Sequence, residues 1–357
     1  MFGIKGDLLS VVPYGNGHIN DTYLATYSIS RSEVRYIHQR INHQVFPDPI
    51  ALMENFERVT SHIAGGLQEN GVDDIERRVL SPLRSRAGRS FAYDEARNVW
   101  RTTHFVRGTT TFDIVTNQEL AFEVGRCYGE FQTQLLTLAP DSLHTTIADF
   151  HNTRHRFDTL QQAIGSDPWN RASKVRDEIA FVEARESYVD RLEDLHIEGL
   201  IPKRITHNDT KVNNLLIDKR SGRGICVTDL DTTMPGLALH DFGDMVRTTT
   251  NNAAEDEQNL DLVRMQIEIF EPLARGYLSK AGQFLNTIEM KELIFSCKVI
   301  VLEIGIRFLT DHLQGDVYFK TGRKGHNLDR CRTQFKLLTS IEEQEELMEL
   351  IVASIPS

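Results

Sequence analysis

Cysteine is scarce in this chain of 357 residues, and its spacing argues against two common uses of the residue. The four cysteines, Cys127, Cys226, Cys297 and Cys331, form no Cys-x-x-Cys pair and accompany no histidine cluster with metal-ligand spacing. Disulfide frameworks and structural zinc sites use such pairs and clusters. The pattern therefore predicts reduced thiols, most of them buried.

Positive charge is also in short supply. Forty Lys and Arg residues face 51 Asp and Glu residues, which gives a formal net charge of -11. Proteins that hold nucleic acid or an anionic membrane surface without sequence preference need an excess of positive charge. We therefore expect neither nucleic acid nor a membrane as a partner.

Long apolar runs are missing as well. The most apolar stretch, residues 293–306, contains Lys298 and Glu303 and is too short to cross a bilayer. The first seven residues lack the basic and apolar regions of a secretory signal. These features predict a cytoplasmic protein, which we expect to be a monomer or a weak homodimer.

The hydrophobic pattern changes from strands to helices along the chain, whose 40% apolar and 25% charged residues are typical of globular proteins. Short apolar and β-branched runs predict strands in the first hundred residues, with later ones at 79–83, 89–93 and 99–106, and one helix from 50 to 65. Beyond Gly108, apolar spacings of three and four predict helices at 117–138, 150–164, 171–196, 257–280, 288–313 and 328–353.

One stretch of strand pattern interrupts these helices and carries polar residues suited to chemistry. From residue 204, a polar loop leads into an apolar strand, a turn at 221–222 and a second strand that ends in Asp229. Such a hairpin is expected to bring Asp209, Asn214 and Asp229 around one point. Phosphoryl transfer to an alcohol needs a carboxylate that accepts the hydroxyl proton and oxygen ligands for Mg²⁺. Each residue alone could instead be a turn or helix-cap residue.

The pattern His-x-Asp-x-x-x-x-Asn at 207–214, followed by Asp229 20 residues beyond Asp209, resembles the loops of aminoglycoside-phosphotransferase-like and protein-kinase-like enzymes. The resemblance implies an α/β (α+β) bilobal kinase-like fold. Its small N-terminal antiparallel sheet lobe with one helix, residues 1–107, would bind the nucleotide. Its larger, mainly helical lobe, residues 108–357, would carry catalysis and the sugar site.

The same resemblance implies roles for individual residues and two cofactors, ATP and Mg²⁺. Asp209 would be the catalytic base, while Asn214 and Asp229 would bind Mg²⁺ and Asp231 would be a further or outer ligand. Asp241-Phe-Gly spells the metal-binding triplet of protein kinases, but Asp241 lies 32 residues beyond Asp209. We therefore interpret Asp241 as the later Asp that braces the catalytic loop in aminoglycoside-phosphotransferase-like enzymes.

The nucleotide end of the predicted site is less regular. Gly15 and Gly17 lie between the first two strands, where a nucleotide-covering loop belongs, although an Asn-Gly hairpin would explain them without any ligand. The third strand lacks the usual phosphate-pairing Lys. Arg40 could replace it if a bulge turns its side chain inward; otherwise Gln39 faces inward and Arg40 is an ordinary exposed charge.

Two further parts of the nucleotide site follow from the resemblance. Glu54 or Glu57 on the first helix is the candidate partner of the phosphate-pairing cation. Adenine is expected against the linker 105–110, with contacts to Phe105 and Val106.

Longer strings at 13–20, 207–214, 229–236, 241–247 and 307–319 resemble those of the N-acetylhexosamine 1-kinase branch, in the same order along nearly the whole chain. Asn-Asp-Thr-Lys at 208–211 is specific to that branch. The resemblance implies that His18, Asp209 and Arg307 hold the sugar. Without it, His18 would be an exposed turn residue, and Arg307 would form a helical ion pair with Glu303 or Asp311.

The residues leave two alternatives to a sugar kinase. One is a kinase of the same superfamily that acts on choline, an amino alcohol or an aminoglycoside, for which an acidic acceptor pocket would be expected. The other is a catalytically silent nucleotide- or sugar-binding protein, which the absent lysine and the thin glycine loop would favour.

Overall fold

In the computed structural model, residues 1–15 and 19–356 are described. The strands of this part are β1 (Asp7–Pro13), β2 (Asp21–Ile29), β3 (Ser32–Arg40), β4 (Phe91–Tyr93), β5 (Val99–His104), β6 (Thr109–Thr110), β7 (Arg204–Thr206), β8 (Leu215–Asp218), β9 (Gly224–Val227) and β10 (Met234–Gly236).

The α-helices of the described residues are α1 (Pro49–Glu69), α2 (Ile75–Arg78), α3 (Gln118–Gln134), α4 (Thr153–Ser166), α5 (Arg176–Glu183), α6 (Arg191–Ile197), α7 (Ala238–Thr249), α8 (Ile267–Ala281), α9 (Thr287–Leu313), α10 (His326–Glu343) and α11 (Glu345–Ser354). The predicted N-terminal antiparallel sheet and the mainly helical C-terminal part are both confirmed. None of the helices in the described part is long and apolar enough to cross a membrane.

The chain forms two compact units, each assembled from three segments. Unit 1 contains Met1–Thr110, Gln134–Ala148 and Leu215–Pro235, and unit 2 contains Thr111–Thr133, Asp149–Asn214 and Gly236–Ser357. The assignment of nucleotide binding to residues 1–107 and of catalysis to residues 108–357 stays a prediction.

The main sheet of unit 1 has the strand order β1-β2-β3-β5-β4, and its neighbouring strands are antiparallel. A two-residue turn joins β2 to β3, and both of its residues, Ser30 and Arg31, have the positive φ that type I′ turns require. The turn fixes a regular register, in which Thr22 pairs with Gln39, and Gln39 pairs in turn with Arg101 on β5. Three side chains are thereby aligned across the sheet.

The helix of unit 1 begins as its sequence predicts. The Asp48 carboxylate accepts the backbone N–H groups of Ile50 and Ala51, and Pro49 occupies the first position, where a missing N–H costs nothing. The buried face of α1 includes Leu52, Met53, Phe56, Val59 and Ile63. The predicted strand at 79–83 is wrong in extent, because only Pro82 forms a bridge there and proline cannot donate to a ladder.

The predicted hairpin is present in unit 1. Strands β8 and β9 pair antiparallel, and β6 pairs with the other edge of β8. The second strand ends at Val227 rather than at Asp229, which follows two residues later in a left-handed conformation with φ 55°. Asp229 is therefore a loop residue that the hairpin presents at its end.

The long helix α9 is the centre of unit 2, where α4, α7 and α10 pack against it. It begins with a capping box, in which Asn286 accepts the N–H of Glu289 and the Glu289 carboxylate accepts the N–H of Asn286. Almost all of its residues beyond Leu293 are buried. Helix α7 is anchored to this buried core.

Candidate active site

The loop that carries Asp209 follows the short strand β7 and ends in a single 3-10 turn, Val212–Asn214. Its backbone turns at Asn208, whose φ of 65° lies in the left-handed region that asparagine tolerates best among residues with a side chain. A loop in this conformation needs side-chain partners for its N–H groups, and helix α7 supplies them.

Two aspartates of α7 hold this loop. The Asp241 carboxylate, which is fully buried, accepts the backbone N–H groups of His207 at 2.9 Å and Asn208 at 2.7 Å. One turn later on the helix, Asp244 accepts the N–H of Thr210 at 2.8 Å. Burial raises the pKa of Asp241, and His207 together with the two N–H donors offsets only part of that effect.

The bonds of Asp241 show that it braces the loop that carries Asp209. Its second oxygen also accepts the amide of Gln132 at 2.8 Å, so both oxygens are engaged inside the unit. The Asp-Phe-Gly string is thus part of a helix that supports the loop, as the resemblance to aminoglycoside-phosphotransferase-like enzymes implied.

His207 is fully buried and supports the loop from the other side. Its ring lies edge-to-face against Tyr128 and Phe131, with centroid distances of 5.5 and 5.7 Å. The Tyr128 hydroxyl donates to the carbonyl of Lys211 at 2.7 Å. These contacts pack the loop that carries Asp209 against α3.

The carboxylate of Asp209 is partly exposed and carries a cation beside it. The Lys211 ammonium lies 2.7 Å from Asp209 Oδ1, and the amide of Asn214 donates to Oδ2 at 3.2 Å and to the Asp209 carbonyl at 3.0 Å. Burial raises the pKa of Asp209, but Lys211, His207 and Arg247 together outweigh burial and hold that pKa below its usual value. Asp209 is therefore ionised and able to accept a proton.

Lys211 is a functional candidate that the sequence analysis missed. Its side chain is 43% exposed, and the Asp209 carboxylate raises its pKa, so it carries a positive charge. The available signal was its position two residues after the predicted base, close enough for a direct ion pair.

Arg307 lies on α9 in unit 2 and faces aromatic rings. Its guanidinium is 5.5 to 5.9 Å from the ring centroids of Phe150, Tyr318 and Phe319. The two acidic residues considered as its helical partners bond elsewhere. Glu303 bonds His151 and Thr153. Asp311 accepts the backbone N–H groups of residues 317–319. A sugar-binding role for Arg307 stays a prediction.

In unit 1, the segment after β9 contains one exposed and one buried carboxylate. Asp229 is exposed, whereas Asp231, two residues later, is buried in an ion pair with Arg101. Arg101 is the second residue that the sequence analysis missed. The sequence did offer a signal: Arg101 lies two residues after Val99 and therefore on the same, buried face of the strand. A buried cation needs a partner of opposite charge.

The third strand has Gln39 and Arg40 in the arrangement that we expected in the absence of a bulge, with Arg40 as an ordinary exposed charge. Strand β3 is regular through residue 40, without the bulge that would turn Arg40 inward. Arg40 is exposed and paired with Asp21, while Gln39 bonds Thr22 and Arg101. Nucleotide binding by Arg40 stays a prediction with no support from this geometry.

The acidic candidates on the first helix pair elsewhere. Glu54 bonds Arg58 and His144, and Glu57 pairs with Arg84. The predicted pairing of either glutamate with Arg40 is therefore wrong, because Asp21 already lies beside Arg40 across the β2–β3 pair.

The glycine loop and the linker belong to unit 1. Gly15 has a φ of 79° and open space around it, whereas Gly17 and His18 lie outside the described residues. Phe105 is covered by Arg35, whose guanidinium is 4.2 Å from its ring centroid, and Val106 is buried. Adenine contacts for these residues stay predictions.

The donor chemistry of the predicted metal residues fits Mg²⁺. A carboxylate on Asp229 and an amide oxygen on Asn214 are hard ligands, and a nucleotide-bound Mg²⁺ takes only one or two carboxylates besides phosphate oxygens. Within the described ranges, no group of three His, Cys, Asp or Glu side chains converges as a metal cage. Mg²⁺ ligation by Asn214 and Asp229 stays a prediction.

A family model described as "Phosphotransferase enzyme family" matches residues 10–277 of the chain. Among solved structures, an aminoglycoside phosphotransferase from Alicyclobacillus acidocaldarius is similar, with 12% identity and a TM-score of 0.62. That match covers 95% of this chain and 93% of the other.

Two other solved structures are similar over comparable lengths. A choline kinase from Cryptosporidium parvum has 14% identity and a TM-score of 0.55, covering 96% of this chain and 91% of its own. A microcompartment-associated aminopropanol kinase has 15% identity and a TM-score of 0.54, covering 98% and 95%. At these identities the similarities show the fold, and the bilobal kinase-like fold expected from the sequence is confirmed.

Proposed function

Because the chain belongs to the phosphotransferase enzyme family, we propose that it is an ATP- and Mg²⁺-dependent kinase that phosphorylates the anomeric hydroxyl of N-acetylhexosamines. The observation that carries the kinase assignment is the braced loop of unit 2. There an ionised Asp209 lies beside Lys211 and Asn214, and α7 fixes its backbone. A general base held in this way needs no rearrangement before it accepts a proton.

In the proposed reaction, Asp209 orients the anomeric hydroxyl and takes its proton as the oxygen attacks the γ-phosphorus of ATP. The bond to the β,γ-bridging oxygen breaks, and ADP leaves. Lys211 keeps Asp209 ionised and adds positive charge where the phosphoryl group passes. Mg²⁺, bound through Asn214 and Asp229, would neutralise charge on the phosphate oxygens.

The choice of a sugar rests on the motif strings, with support from Arg307. The Arg307 guanidinium can donate to sugar hydroxyls and to an acetamido carbonyl. The aromatic rings around it can cover the apolar faces of the sugar. The same positive charge disfavours choline and aminoglycosides, which are cationic. His18 is proposed as a second sugar contact on the resemblance alone.

The test is coupled ATP turnover with Mg²⁺ on N-acetylglucosamine, N-acetylgalactosamine, glucose, choline and kanamycin, with ³¹P NMR of any product. We expect an anomeric phosphate on an N-acetylhexosamine. Turnover on choline or kanamycin alone would disprove the sugar assignment and keep the kinase. No turnover on any acceptor would contradict the proposed reaction.

Asp209→Asn tests the role of the base. We expect turnover to fall by about 10³-fold, while ADP binding is retained, because the loss of a general base affects the chemical step. Asp261→Asn, an exposed residue of the same unit, is the matched control and is expected to leave turnover unchanged. Equal turnover in Asp209→Asn and wild type would refute the assignment.

A further inference from the structure

A row of polar side chains crosses the sheet of unit 1 and ends on a buried carboxylate. Thr22, Gln39 and Arg101 are cross-strand neighbours on β2, β3 and β5. The Gln39 amide donates to the Thr22 hydroxyl at 3.1 Å, and Arg101 Nε donates to the Gln39 carbonyl oxygen at 2.9 Å. Arg101 Nη1 then pairs with Asp231. The Arg101 guanidinium thus donates to Gln39 on one side and to Asp231 on the other.

Asp231 is the point at which this row meets two other segments. Both Asp231 and Arg101 are only 2% exposed. The second carboxylate oxygen of Asp231 accepts the amide of Asn20 at 2.6 Å, and its backbone carbonyl accepts the Thr146 hydroxyl at 2.9 Å. Asn20 is held in turn by the backbone N–H of Asn42 at 3.0 Å. Asp231 is therefore fixed from three sides.

The position of Asp229 depends on Asp231. Asp229 precedes the single 3-10 turn Leu230–Thr232, which the N–H of Thr233 closes onto the carbonyl of Leu230 at 3.0 Å. A turn this short transmits any shift of Asp231 to Asp229 two residues away. Asn20, on the other side, lies at the C-terminal end of the predicted glycine loop.

We propose that Arg101 is a positioning residue that holds Asp231, and through it the turn bearing Asp229, in the geometry that binds a divalent cation with the nucleotide. The inference rests on the proposed function, because it assumes that the chain binds Mg²⁺ with ATP or ADP. Arg101 acts through Asp231 and need not touch the nucleotide. Arg101 supplies a positive charge from β5. The neighbouring strand β3 has Gln39 at the position where kinase-like folds usually have a lysine.

The geometry requires an arginine at this place. A guanidinium donates to Gln39 and Asp231 at the same time through a rigid fork, whereas a lysine ammonium keeps the charge on a flexible stem. Arg101→Lys therefore preserves the charge and loosens the position of Asp231. Arg101→Met would leave the Asp231 carboxylate buried without its cation, and such a change often prevents folding.

The experiment measures the Mg²⁺ dependence of ADP binding by titration calorimetry, in wild type, Arg101→Lys and Asn20→Ala. Arg101→Lys weakens one support of Asp231 and Asn20→Ala removes another, and neither leaves a buried charge unpaired. We expect the Mg²⁺ concentration that gives half of the binding enhancement to rise by about 10-fold or more. Binding of ADP without Mg²⁺ is expected to stay within about 2-fold of wild type, because the proposed role of Arg101 runs through Asp231 and involves no contact with the phosphates.

Arg89→Lys is the matched control, because Arg89 is an exposed arginine of the same unit. It is expected to bind Mg²⁺ and ADP as wild type does. A lower melting temperature in Arg101→Lys and Asn20→Ala with an unchanged Mg²⁺ dependence would show a merely structural role and overturn the inference. A wild-type chain that binds no Mg²⁺–ADP would overturn the proposed function, and the inference with it.

Discussion

Lys211 shows how one side chain sets the working range of another. Its ammonium lies 2.7 Å from Asp209 Oδ1. Burial alone would raise the pKa of Asp209, and the Lys211 charge makes the largest contribution to lowering it. Because the proposed base must be ionised to accept a proton, a lower pKa of Asp209 would extend the activity towards acidic pH. The ion pair is therefore expected to control the acidic side of the pH profile.

Lys211→Met should move the acidic limb of kcat/KM to higher pH, since removing a cation raises the pKa of a neighbouring carboxylate. The sign follows from ionisation: at a given acidic pH, a smaller fraction of Asp209 is charged in the variant. The measurement is kcat/KM between pH 4 and pH 8. The plateau is also expected to fall, but only the position of the limb reports the pKa.

Lys219→Met serves as the control for the loss of one lysine. Lys219 lies in the exposed turn between β8 and β9, and its replacement should leave the limb in place. An unchanged limb in Lys211→Met would mean that another group determines the acidic side.

At this scale, the sequence analysis succeeds where the residues lie close together in the chain. The residues of the loop predicted that Asp209 and Asn214 lie close together, and the resemblance to aminoglycoside-phosphotransferase-like enzymes implied that Asp241 braces this loop. Arg101 could not be found in the same way, because its partner Asp231 is 130 residues away and only folding brings the two together.

Among the elements, α3 and α8 of unit 2 approach each other closely at two glycines. A Cβ added at Gly276 on α8 would lie 2.1 Å from the carbonyl oxygen of Phe122, and one at Gly125 on α3 would lie 2.1 Å from that of Leu273. Both contacts are with backbone, which cannot move aside as a side chain can. The two helices approach this closely only because both positions are glycine.

Gly276→Ala is expected to lower the free energy of unfolding by about 3 kcal/mol, because the added methyl group forces the two helices apart. Urea denaturation followed by circular dichroism measures the change. Gly165→Ala is the matched control, since Gly165 also lies in a helix, α4, but has open space around it. That variant should be unchanged or more stable by up to about 1 kcal/mol. Similar losses in both variants would contradict the packing explanation.

The helices were predicted well where the apolar pattern is long. They were predicted poorly where ion pairs with distant residues determine the local structure. The helices α1, α4 and α9 occupy the predicted ranges within a few residues. The single helix predicted at 171–196 is instead broken into α5, α6 and two 3-10 turns. There Arg185 bonds Glu342 and Arg191 bonds Glu292, contacts that a local pattern does not contain.

For the whole molecule, unit 1 depends on residues far along the chain. Arg101 is neutralised by Asp231, and the Asn55 amide donates to the carbonyls of His144 and Thr233. A fragment ending at residue 110 would lack these three partners and would bury a cation and an amide without them. Both are costly.

We expect fragment 1–110 to show no cooperative unfolding transition in urea, whereas the full chain does. Trp100 is the only tryptophan of the fragment, so its fluorescence reports on the sheet. A sigmoidal transition in the isolated fragment would show that its first segment is stable without the other two.

The division of unit 1 into three segments also sets an order of events during protein synthesis. The ribosome releases the five-stranded sheet first, but Asp231 emerges about 130 residues after Arg101, which is roughly ten seconds at ordinary translation rates. During that interval the nascent sheet holds a cation, Arg101, without its partner. We therefore expect the sheet to fold stably only after the middle third of the chain has been translated.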